Sequence, residues 1–129
     1  MNDLAERLLD YSARVVKPVS ALPASPIARR IGDQLLRSGT AVGANYEEAC
    51  AAESAADFLH KLQVALKEMR EAHYWLRLLV KAGIVSAERL KPLVDESDQL
   101  RAVLSKSVVT AKAKQKQVAS TGARVPPAG

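Results

Sequence analysis

Apolar positions recur at helical spacing along most of this chain and divide it into four runs. In the first, Leu4, Leu8, Tyr11 and Val15 are separated by 4, 3 and 4 residues. That spacing is one stripe on a helix, widened by Leu9 and Val16. Asn2 or Asp3 can cap its start. Pro18 pushes the residue before it away from helical angles, so the pattern predicts a helix over 3–17. Residues 19–25 then form a connector containing Pro23.

Ser25 followed by Pro26 is a helix start, a capping hydroxyl and then a residue whose missing N–H costs nothing at the first turn. The second helix is expected over 26–52, with Ile27, Ile31, Leu35 and Val42 as its larger contacts. Ser54 with Asp57 resembles a capping box and opens a third helix over 54–82. Here Phe58, Leu62, Ala65, Met69, Ala72, Leu76 and Leu79 alternate by 4 and 3. Leu59, Leu66, Trp75 and Val80 extend this surface, and the surplus points to a subunit interface. Gly83 suits the C-terminal cap.

A fourth helix is expected over 86–116, capped by Ser86. Its stripe is Leu90, Leu93, Val94, Leu100 and Leu104, with Ser97 and Ser107 as smaller fillers. Pro92 either kinks this helix or marks its true start. Residues 118–129 read as a disordered tail. Short connectors and no strand-like alternation therefore predict an all-α, up-and-down antiparallel four-helix bundle over 1–117.

The second run is unlike the others because its middle consists of small residues. Gly39 and Gly43 lie four apart on one face. Each costs about 1 kcal/mol relative to Ala in a helix interior. The cost is tolerable where another helix packs against the bare backbone. Close by, Arg37, Ala41, Asn45 and Glu48 follow at spacings of 4, 4 and 3. A cation, an amide and a carboxylate on one line point to a shared polar network, because buried charges are normally paired. Glu68 and Glu71, beside Tyr74, have the spacing of an acid–base pair, but Arg37 is their obvious structural partner.

Composition and charge narrow the function. No window reaches 18 consecutive apolar residues, so no transmembrane helix is expected. The start of the chain is acidic and amphipathic rather than a signal peptide, and the single cysteine, Cys50, excludes an intramolecular disulfide. These features favour a cytoplasmic location. The net charge of +5 is unevenly placed. Residues 1–99 carry 13 Lys and Arg against 14 Asp and Glu, whereas residues 100–129 carry six cations and no carboxylate. Arg29, Arg30, Lys106, Lys112, Lys114 and Lys116 are candidate contacts to the phosphates of RNA or DNA. Few aromatic residues are available for base stacking. No Gly-rich phosphate loop follows a strand. His60 and His73 point about 140° apart on one helix, and Asp57 and Lys61 have the spacing of an i,i+4 ion pair. No metal, cofactor or catalytic set emerges.

The run from Gln34 to Ala49 resembles the signature of four-helix-bundle proteins encoded in 23S ribosomal RNA intervening sequences. So does the pattern Asp57-Phe58, Lys61, Ala65-Leu66-Lys67-Glu68, Glu71, Tyr74-Trp75-Leu76 and Leu79. The resemblance spans about 3–108 and excludes the basic tail. Ala49 replaces a glycine common in the family. The resemblance implies a left-handed bundle that assembles as a homopentamer. It also implies kinship with accessory pentamers of diversity-generating retroelements, which look like nucleic-acid and reverse-transcriptase binders. It implies no enzyme. Two readings follow: a homo-oligomer that binds RNA or DNA through basic surfaces, and a symmetric scaffold for a protein partner.

Overall fold

A computed structural model describes residues 3–121. It contains four helices, α1 (Asp3–Ser20), α2 (Pro26–Cys50), α3 (Ala55–Lys81) and α4 (Ala87–Thr121). Each packs against the next, and α1 closes more sparingly on α4, which makes an all-α four-helix bundle. Leu8, Tyr11 and Val15 of α1 meet Leu35 and Val42 of α2, Leu62, Met69, Leu76 and Leu79 of α3, and Leu100 and Leu104 of α4 in one core. Each such side chain contributes about 1.5–3 kcal/mol on burial.

The helix ends follow from local chemistry. Ser25, Ser54 and Ser86 each accept a bond from the backbone N–H three residues on, at 3.1, 3.1 and 3.3 Å. Each thereby satisfies one donor left open by its helix. At the end of α3, Gly83 takes φ +73°, and the amides of Gly83 and Ile84 donate to the carbonyls of Val80 and Leu79. This is a Schellman closure, which needs the left-handed residue that glycine supplies without strain.

Three expected boundaries differ. Helix α1 does not stop at Lys17 but runs on to Ser20, with Pro18 inside it. A proline this near the end forfeits one backbone bond, and Val19 and Leu22 beyond it pack on the core. Helix α2 ends at Cys50, and the break before α3 forms without a glycine. Helix α4 passes the expected limit of 116 and reaches Thr121, with Pro92 inside it rather than at its start. The first four residues of the expected tail, 118–121, are therefore helical, and 122–129 lie outside the described residues.

The small-residue face is buried inside the chain. A Cβ at Gly39 would meet both Val15 methyls at 3.0 Å, and one at Gly43 would meet Leu8 at 3.5 Å. The close approach joins α1 to α2. The surplus apolar surface of α3 is also largely absorbed: Leu66 is buried, and Phe58, Leu59, Trp75 and Val80 pack against the core cluster. The large exposed apolar residues are instead Leu9, Val16, Ile27, Leu36, Tyr74, Val103 and Val109.

Candidate functional site

The polar line on α2 does not form one network. Arg37 reaches across to α3, where Nη1 donates to Glu68 at 2.8 Å and Nη2 donates to Glu71. Glu71 also accepts the indole N–H of Trp75 at 3.2 Å. Two turns further along, Asn45 donates to its own Ala41 carbonyl at 2.9 Å. Glu48 pairs with Lys61 at 3.2 Å, which replaces the expected Asp57–Lys61 pair. The reason is distance: Arg37 and Glu48 are separated by about 16 Å along the helix axis. Arg37 and Glu48 each meet a different level of antiparallel α3, while Asn45 bonds within α2. Tyr74 stands outside these contacts, 55% exposed, in a T-shaped pair with Trp75 whose ring centroids are 5.1 Å apart.

A second polar seam joins α1 to α4, between residues the sequence reading did not pair. Arg7 donates twice to Glu96, at 2.9 and 2.8 Å, and once to Gln99 at 3.2 Å. The bond from Arg7 holds the Glu96 carboxyl below its ordinary range, and the same bond raises the guanidinium. Below it, Tyr11 and Ser97 share a buried hydrogen bond of 2.6 Å. Burial pushes the Tyr11 hydroxyl up to about 12. Ser97, read as a filler in the leucine stripe, is the polar partner of this ring. A serine interrupting an otherwise leucine-rich stripe was the available signal.

The candidate phosphate contacts fall into two groups. Arg29 and Arg30 are exposed on the first turns of α2. Lys106, Lys112, Lys114 and Lys116 are exposed on the second half of α4. Helices α2 and α4 run in the same direction, because one antiparallel helix lies between them. The two groups therefore sit at opposite ends of the bundle and do not form one patch. After Val108, α4 contributes Ala111 to the packed cluster, while Val109 is 64% exposed. The lysines share this open part of the helix, and no Asp or Glu follows Asp98 in the sequence.

Among the described residues, no three His, Cys, Asp or Glu side chains converge to hold a metal ion. No helix among them is long and apolar enough to cross a membrane.

The family profile described as 23S rRNA-intervening sequence protein matches residues 2–106. The chain belongs to that family. A solved structure from Bacteroides thetaiotaomicron VPI-5482 resembles it, described as a protein with unknown function from the S23 ribosomal protein family. The two share 33% identity and a TM-score of 0.76, over 81% of this chain and 97% of that one. No curated protein matches. The family segment stops within α4, ahead of Lys112, Lys114 and Lys116. The end of α4 that bears Lys112, Lys114 and Lys116 thus lies outside the region matched to the intervening-sequence family.

Proposed function

We propose that this 23S rRNA-intervening sequence protein is a non-enzymatic, homo-oligomeric bundle that binds RNA or DNA through the lysines of α4. One observation carries the reading. Lys106, Lys112, Lys114 and Lys116 are exposed on a segment that holds no carboxylate. Such a segment attracts phosphates without internal competition. Assembly multiplies the effect, and the pentamer implied by the family resemblance would carry +25 from five chains of +5. Contact to the backbone by lysine is weakly sequence-specific and strongly dependent on salt.

The test is fluorescence anisotropy with labelled RNA and DNA at two salt concentrations. The native chain is compared with a Lys112→Glu, Lys114→Glu, Lys116→Glu variant. These side chains point into solvent, so the variant keeps its fold. The expected result is binding by the native chain that weakens steeply with salt, and a large loss in the variant. Equal affinities and equal salt slopes would defeat the proposal. Light scattering supplies the assembly mass, to be compared with multiples of 13.9 kDa.

A second reading, a symmetric scaffold for a protein partner, is favoured by one feature. Leu9 and Val16 of α1 and Leu36 of α2 are large, apolar and exposed. Such side chains suit a protein interface. Assembly without nucleic-acid affinity would select this reading.

A further inference from the structure

The outer face of α3 carries a second basic feature with different chemistry. Lys67, Arg70, Tyr74, Arg77 and Lys81 follow at spacings of 3, 4, 3 and 4, and all are exposed. They form one stripe opposite the buried face of Leu62, Met69 and Leu76. The stripe is about 21 Å long. Among the described residues, its cations take part in none of the ion pairs. The neighbouring carboxylates, Glu68 and Glu71, are turned toward α2 and held by Arg37. Tyr74 is the one aromatic residue on this stripe, with Arg70 and Arg77 on either side. Its T-shaped contact with Trp75 holds the ring in place and leaves 55% of the residue open to solvent.

Beside Tyr74 a cleft of 760 Å³ opens between α3 and α4. Leu78, Val80 and Val94 give it apolar walls, and Arg77 and Lys81 stand at its α3 side. Glu88 and Asp95 lie on the α4 side, where Asp95 is paired with Lys91. The cleft is therefore polarised, with free cations along α3 and carboxylates along α4. A flat, uncharged ring fits the apolar space, and an anionic backbone fits only the α3 side.

We propose that this stripe binds an unpaired nucleotide stretch, with one base stacked on Tyr74 and its flanking phosphates on Arg70, Arg77 and Lys81. The proposal rests on the nucleic-acid reading above and names its partner as single-stranded. Acidic peptides need only the cations, whereas the presented ring matches the π-face that every base offers. Duplex does not offer a base face at its surface, so it engages the α4 lysines without Tyr74.

The experiment uses the full chain and two probes, a labelled oligouridylate of about 12 nucleotides and an RNA duplex of the same length. Tyr74→Ala, Tyr74→Phe and the α4 triple-glutamate variant are compared with the native protein, and circular dichroism checks their helicity. Tyr74→Ala should weaken oligouridylate binding about tenfold and leave duplex binding unchanged, while Tyr74→Phe retains both. The single tryptophan, Trp75, lies against Tyr74 and reports the site directly. Oligouridylate should quench its emission in the native chain, and duplex should not. If Tyr74→Ala binds oligouridylate like the native chain while the α4 variant loses both probes, the stacking site is wrong and the broader reading stands. If the native chain binds neither probe at low salt, both fall. If polyglutamate displaces oligouridylate as well as unlabelled oligouridylate does, the stripe is an acidic-protein site and the proposal is overturned.

Discussion

The hydroxyl of Tyr11 lies 2.6 Å from Oγ of Ser97, at a sequence separation of 86 and with neither residue exposed to solvent. It is the buried polar bond that ties α1 to α4. Removing one partner leaves the other to find a substitute. Ser97 can rotate toward the carbonyl one turn back on its own helix, while the tyrosine hydroxyl has no such local acceptor. Ser97→Ala should therefore cost about 1–3 kcal/mol, and Tyr11→Phe less. The double variant should be more stable than Ser97→Ala alone. Urea unfolding of the three variants reads this, and additive losses would contradict it.

The two central glycines should respond differently to a methyl group. Alanine gains about 1 kcal/mol of helix propensity over glycine. At Gly43 the new carbon would sit 3.5 Å from Leu8, an ordinary contact, so Gly43→Ala should be neutral or stabilising. At Gly39 it would press on both Val15 methyls at 3.0 Å, so the gain is offset by a shift of α1. Gly43→Leu overfills the same seam and should cost about 1–3 kcal/mol. Thermal melts rank the three, and a normal melt for Gly43→Leu would contradict the packing argument.

Acidification should weaken the fold in two stages. Burial, followed by Arg77, holds His73 below its ordinary value of 6.5, against the opposing pull of Asp98. The folded chain thus binds this proton less readily than the unfolded chain, and stability falls as pH drops below about 6.5. Glu96 is likewise held below its ordinary value of 4.5 by Arg7. Its contribution is complete above that value and disappears as pH falls through the lower folded one. His73→Gln should flatten the upper stage and Glu96→Gln the lower. Denaturant midpoints collected across pH test both, and an unchanged profile in either variant would remove its group from the account.

Arg37 lies between two carboxylates that would otherwise face each other on one helix. Its side chain is 50% exposed, so the loss in Arg37→Ala should be near 1 kcal/mol. Part of that loss is repulsion between Glu68 and Glu71, which Glu68→Gln should relieve when added to Arg37→Ala. Because Glu71 also accepts the Trp75 N–H, Arg37→Ala should shift Trp75 emission. A double variant no better than the single, with unchanged emission, would argue against this arrangement.

Much of the bundle is legible without coordinates because its signals are local. The stripe of Leu8, Tyr11 and Val15 has one buried face in any helical bundle, and Ser25, Ser54, Ser86 and Gly83 act on atoms within a few residues of themselves. Helix ends are less legible where tertiary packing competes with local preference. Pro18 is a stop signal on its own, yet Val19 and Leu22 packing on the core carries α1 past it.

The sequence by itself determined four helices, their buried faces and the concentration of positive charge after Asp98. Each of these depends on spacing along one helix or on counting. Arg37 meets Glu68 and Glu71 as the residue types suggest. Only the tertiary structure decided the remaining charge pairs between helices, Lys61 against Glu48 rather than Asp57, and Arg7 against Glu96. It also placed Arg29 and Arg30 at the opposite end from the lysines of α4. An ion pair between helices is set by their register and direction, and these follow from how whole apolar faces interlock rather than from any local run of residues.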